Sequence, residues 1–162
     1  MKTLIKILFL LQSVFLYAQD VKIMNILNDE LRKEIKHQFK NLNFNGDTIS
    51  LVKEFSIGQN RILSVEIKKT NENGYSLERQ EVPLDKIMTI GKDINIILET
   101  EGKNVKTRTQ RFYKNEEKQV FSNESSMFFT YLRFPNKEDV GDDLIKAFSK
   151  AGYKITKSYW YD

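Results

Sequence analysis

The hydrophobic period of this chain of 162 residues changes three times, and that pattern limits the fold more than any single motif does. Over residues 21–40 the apolar positions Met24, Leu27, Leu31, Ile35 and Phe39, continued by Leu42, fall on one stripe at about 100° per residue, the mark of an amphipathic helix. Asp29, Glu30, Arg32, Lys33, Glu34, Lys36 and Lys40 fill the other side. The turn formers Asn41 to Gly46 end it. From Asp47 the period is 2. Ile49, Leu51, Phe55 and Ile57 share one parity, and Leu63, Val65 and Ile67 repeat the alternation. Turns at Gly58-Gln59-Asn60, Asn71 to Gly74, Gly91-Lys92-Asp93 and Glu101 to Asn104 separate the strands. Short alternating strands joined by Gly/Asn turns predict an antiparallel meander. Met127 to Phe134 is apolar on both parities, which predicts a central strand covered on both faces. At Asn136 the period returns to 3.6. Val140, Leu144, Ala147, Phe148 and Ala151 form a stripe, Asn136 is the expected N-cap, acids occupy the first turns, and Gly152 follows as C′. Tyr153, Ile155, Tyr159 and Tyr161 then alternate as a last strand. The expected fold is α+β: a single antiparallel meander, able to curl into a barrel, with an N-terminal amphipathic helix and a helix near the C-terminus followed by a last strand.

The segment before this domain reads as a secretory leader. Lys2 and Lys6 supply a basic start, and Leu4 to Leu11 with Val14, Phe15 and Leu16 supply an apolar core too short for a membrane anchor. The apolar residues lie all round the helix, with no polar face. Cleavage is expected after Ala18 or Gln19, although Leu16 is larger than the usual small residue at −3. The chain therefore divides into a signal peptide, 1–19, and one exported domain, 20–162, periplasmic or secreted, with no transmembrane segment in the mature chain.

Composition then narrows the chemistry. There is no Cys, which excludes a disulfide scaffold, a thiolate zinc site, a CxxC pair, a Cys nucleophile and a lipid-bearing Cys. One His excludes any site needing two imidazoles. The net charge of +4 includes the two leader lysines; without them 24 basic residues face 22 acidic ones, a net +2. That balance is no footprint for nucleic acid. His37, on the polar side of the first helix, reads as a surface residue, and no Gly-x-Ser-x-Gly elbow is present. Asn41 to Asp47 imitates the first half of a calcium loop, but Val52 stands where the bidentate Glu is needed. Glu138, Asp139, Asp142 and Asp143 are explained by the helix dipole. No glycine pattern suits a phosphate. No catalytic residue, metal or cofactor is expected.

Val82 to Ile90, a strand at Ile94 to Thr100, an aromatic strand at Phe128 to Phe134 and then Leu144-Ile145-Lys146-Ala147-Phe148 resemble the running pattern of a pleckstrin-homology-like barrel. The resemblance covers residues 47–151 and rests on apolar spacing. It implies a bent antiparallel sheet closed at one end by a helix. The chain departs from that pattern in its N-terminal helix and in the strand after Gly152. Lys53 and Arg61 do not supply the family's phosphoinositide motif, so lipid head-group binding is not carried over.

Two groups of residues are candidate contacts. Lys106, Arg108 and Arg111 lie in a basic stretch, and Tyr159, Trp160 and Tyr161 end the chain, where an aromatic triplet must close the sheet or meet a partner. By alternation Tyr159 and Tyr161 share the packed face, and Trp160 points the other way, toward a partner or the N-terminal helix. The expected function is a non-catalytic exported module that binds a protein, peptide or envelope component. The alternatives are a carrier of a small hydrophobic ligand in a sheet-lined cavity and a hydrolase of unrecognised type.

Overall fold

The computed structural model describes residues 2–41, 44, 46–58, 60–114 and 117–161, with side chains from residue 19 onward. The chain runs α1 (Lys2–His37), β1 (Thr48–Ile57), β2 (Ile62–Asn71), β3 (Gly74–Pro83), β4 (Ile87–Lys92), β5 (Ile96–Thr100), β6 (Val105–Tyr113), β7 (Gln119–Ser125), β8 (Met127–Phe129), α2 (Glu138–Lys150) and β9 (Thr156–Trp160). It is an α+β fold with antiparallel-rich sheets and a last strand after the C-terminal helix. Among the described residues no helix is long and apolar enough to cross a membrane.

The strands divide between two open sheets where one meander was expected. One has the order β1-β2-β3-β6-β7, the other β8-β5-β4-β9, and neither closes into a barrel. The physical reason lies in β4 and β5. Ile96, Ile97 and Leu98 are all buried, as are Ile90, Gly91 and Lys92, so these strands need cover on both faces. The chain therefore leaves the first sheet through the 3₁₀ turn Leu84–Lys86 and starts a second. A further difference is β9, which joins β4 in parallel, whereas the other described pairings are antiparallel.

The core lies between the sheets and helices. Ile23, Leu27 and Leu31 of α1 meet Leu63, Val65, Ile67 and Val82 of the first sheet, Ile90, Ile96, Leu98 and Phe128 of the second, and Leu144 and Phe148 of α2. Burying each such side chain contributes on the order of 1.5–3 kcal/mol. The stripe of α1 ends sooner than its period suggests. The helix stops at His37, Gln38–Lys40 is a 3₁₀ turn, and Phe39 is 70% exposed. Leu42 lies outside the described residues, as do the side chains through Ala18.

The segment expected as a central strand is mostly not a strand. Met127–Phe129 pairs with β5 at the edge of its sheet. Tyr131 then takes a left-handed backbone, φ 61°, which ends the extended run. Both parities are apolar because Thr130, Tyr131 and Leu132 are buried in an irregular segment tied to β5, where Ile96 N donates to Leu132 O at 3.0 Å and Thr130 N to Ile96 O at 3.2 Å. Asn136 does not cap α2. It is left-handed at φ 54°, and Val140 N instead donates to the Asp139 carboxylate at 2.9 Å. Gly152 does follow α2 at φ 88°, with Tyr153 N donating back to Phe148 O at 2.9 Å.

Candidate binding surface

Strand parity decides where each basic residue of β6 goes. The face of the first sheet turned to the core carries Leu63, Val65, Ile67, Gln80 and Val82. By register Thr107, Thr109 and Arg111 of β6 share that face, and Lys106 and Arg108 lie on the opposite, outer one. The three residues that sequence proximity grouped are thus split between two faces.

On the outer face one rung crosses all five strands: Lys53, Glu66, Arg79, Arg108 and Ser122. Lys53 pairs with Glu66 at 3.2 Å. Arg79 donates through Nε and Nη2 to Glu81 at 3.1 and 2.6 Å. Arg108 stands directly opposite Arg79, a like-charge pair that strand pairing disfavours, and makes no ion pair among the described residues. Lys106, between Glu81 and Glu124 by register, makes none either. An open depression of about 450 Å³ lies here, lined by Arg79, Glu81, Lys106, Arg108, Ser122 and Glu124. On the core-side face Arg111 lies over the Phe121 ring at 4.9 Å.

The four sheet edges are not alike. At β1 the Asn28 side chain takes both backbone groups of Phe55, accepting from N at 2.8 Å and donating to O at 3.0 Å. Gln38 does the same to Ile49 at 2.6 and 3.1 Å. At β8 Gln80 holds Phe129 at 3.0 and 3.3 Å. A side-chain amide carries the same donor and acceptor as a peptide, so each one imitates the missing strand and blunts the edge. β9 has α2 over one face and Lys157 along it. β7 has no helix over it and one charged residue, Glu124, near its end: it ends its sheet, Gln119 to Glu124 are exposed on both faces, and Phe121 is 45% exposed.

The aromatic tail belongs to the second sheet. Tyr159 covers Gly91 of β4 and donates to Glu99 Oε1 at 2.8 Å. Tyr161, 66% exposed, stacks on it at 5.6 Å. Trp160 packs on Gly141 of α2, not on α1, under Lys157 at 4.9 Å. The basic strand and the tail therefore form no common surface.

One polar cluster has no counterpart in the sequence reading. Tyr131 donates to Glu78 Oε1 at 2.6 Å and accepts from Gln80, while Lys69 pairs with Glu78 at 2.8 Å and lies over the Tyr131 ring at 5.2 Å. Burial, then the Glu78 carboxylate, pushes the Tyr131 phenol far above its ordinary range. Each partner is used inside the cluster, which pins the left-handed turn at Tyr131. The one hint in the sequence is that Glu78 and Gln80 occupy the buried parity of a strand.

No protein-family model, curated protein or solved structure matches this chain.

Proposed function

We propose that the protein is a non-catalytic exported module that captures an acidic, extended segment of a protein along the edge of β7. The observation that carries this reading is the contrast between edges: side-chain amides occupy β1 and β8, whereas the β7 edge, exposed on both faces, is bare among the described residues. An open edge offers unpaired N–H and C=O groups to an added strand, whose main chain supplies affinity and whose side chains supply specificity. The charge argues for an acidic occupant. Arg108 on one face and Arg111 on the other lack carboxylate partners among the described residues, and the small Ser122 separates Arg108 from the edge. A strand added there lies about 10 Å from β6, two strand spacings, within joint reach of an arginine and a glutamate. The leader residues Lys2 to Leu16 support export.

A synthetic peptide of alternating Glu and Val tests this against the exported protein. Amide chemical shifts and exchange protection along Gln119 to Ser125 are expected to change on titration, and the affinity to fall with salt. Arg108→Glu is expected to weaken binding roughly tenfold or more, with the melting temperature kept. Perturbation confined to other strands, or equal binding of a Lys/Val peptide, overturns the proposal.

A further inference from the structure

Asp20 is the first or second residue of the chain that leader removal leaves. In α1 of the full-length chain this residue is 5% exposed, and Oδ1 has no hydrogen-bond partner among the described residues. Oδ2 meets Arg61 Nε at 3.8 Å, too long for a hydrogen bond. The same guanidinium lies over the Tyr153 ring at 5.5 Å, and the Tyr153 hydroxyl, on a residue 9% exposed, makes no hydrogen bond of ordinary geometry among the described residues. Burial pushes the Asp20 carboxyl above the usual carboxylate range, against the pull of Arg61. A buried carboxylate short of donors is costly, and Asp suits a helix interior poorly. At the first turn of a helix the same residue is favourable.

We infer that the Asp20–Arg61–Tyr153 pocket is the seat of the α-ammonium group created when the leader is removed. The inference rests on the export reading above. Hydrolysis of the bond before Gln19 or Asp20 consumes one water: the leader gains the new carboxylate, and the exported chain gains an amine that takes up a proton at neutral pH. That ammonium brings three donors to a place holding two unpartnered acceptor atoms, Asp20 Oδ1 and the Tyr153 oxygen. It lies within one residue of Asp20 whichever bond is cut. Its positive charge, unfavourable at a helix start and beside Arg61, is offset by the Asp20 carboxylate, with Asp85 also in the field of Tyr153. Processing thus supplies a donor to a carboxylate oxygen that lacks one among the described residues of the full-length chain.

The test uses the full chain expressed with its leader in a secreting bacterium and recovered from the exported fraction. Intact mass is expected to place the N-terminus at Gln19 or Asp20. The pH dependence of acetylation of the α-amine then reads its titration midpoint. It is expected about one unit above the ordinary 7.7–8.0 and back within that range in Asp20→Asn. Tyr153→Phe, which removes one acceptor and keeps the ring, is expected to speed acetylation at fixed pH several-fold. An N-terminus elsewhere removes the leader reading itself. The expected N-terminus with an amine that titrates ordinarily, unmoved by Asp20→Asn and Tyr153→Phe, leaves the leader reading intact and overturns the pocket.

Discussion

Trp160 closes over Gly141: a Cβ built on that glycine stands 2.4 Å from Cη2 of the indole and 2.7 Å from Cζ3. The last strand is thereby locked to α2 by an aromatic side chain resting where a helix has no side chain. In an open helix, Gly→Ala stabilises by about 1 kcal/mol. Here the sign reverses, because the new methyl must displace a packed indole, which costs about 1–3 kcal/mol. Gly141→Ala is expected to lower the denaturation midpoint. Trp160→Ala, which empties the site instead, is expected to cost about 2–4 kcal/mol. A midpoint unchanged by either substitution removes the lock.

The amide that holds the β1 edge gives a second test. Asn28 supplies both partners of the Phe55 backbone from 27 residues away in sequence. Asn28→Leu keeps the branched shape and leaves a buried N–H and C=O without partners, at about 1–3 kcal/mol each. Exchange of the Phe55 amide hydrogen is expected to accelerate to the rate of an exposed edge. If that rate and the stability are both unchanged, the amide is not acting as a surrogate strand.

How much of this was legible can be judged residue by residue. Leu27 and Leu31 were, because a helical period states which side is buried. Phe39 was not: its spacing fits the stripe, but the chain has already left the α-helix at His37. Alternation correctly assigned Leu63, Val65 and Ile67 to the core. It says which side of a strand is covered and nothing about which sheet the strand joins, so the passage into a second sheet at Leu84 left no mark. Tyr159 and Trp160 do point opposite ways as their alternation required, yet the cover over the indole came from α2, at Gly141, a position with no side chain to advertise it. The split of the basic residues between two faces has a reason the sequence does contain. Arg108 and Arg111 are an odd number of positions apart, and in a strand that places them on opposite faces. The side-chain amides at the edges left almost no signal, since a lone Asn28 on a helix is more often a surface residue.

Glu30 ties α1 to α2 and carries an acid dependence. Burial pushes its carboxyl up, but hydrogen bonds from Lys137 and Lys33, the latter at 2.6 Å, outweigh burial and hold it below the ordinary glutamate value. A depressed folded value means that the unfolded chain takes up the proton first. The stabilisation is therefore present at neutral pH and above the ordinary value of about 4.3, and is lost as pH falls through the depressed one. The melting temperature of Glu30→Gln is expected to lie below that of the unmutated protein at neutral pH, with the gap closing as pH falls below the ordinary glutamate value of about 4.3. A gap that stays constant across that range shows that the Glu30 charge is not what joins the two helices.

Tyr159 carries the opposite, alkaline dependence. Burial against β4 and a hydrogen bond to Glu99 push its phenol up to about 12. Glu99 is held in place by Thr89, whose hydroxyl donates to Oε2 at 2.7 Å, so the acceptor stays aimed at the phenol. Losing the proton would set a phenolate against a carboxylate 2.8 Å away. With the folded value raised above the unfolded value of about 10, the contribution of Tyr159 to stability is complete below that pH and is lost as pH rises toward 12. The difference in phenolate absorbance between the unmutated protein and Tyr159→Phe isolates this one group among the seven tyrosines. Its midpoint is expected near 12, and Glu99→Gln, which removes the charge and keeps an acceptor, is expected to bring it down. A difference curve centred near 10, unmoved by Glu99→Gln, would place the hydroxyl in open water and leave β9 held to β4 by its backbone and by ring packing on Gly91 alone.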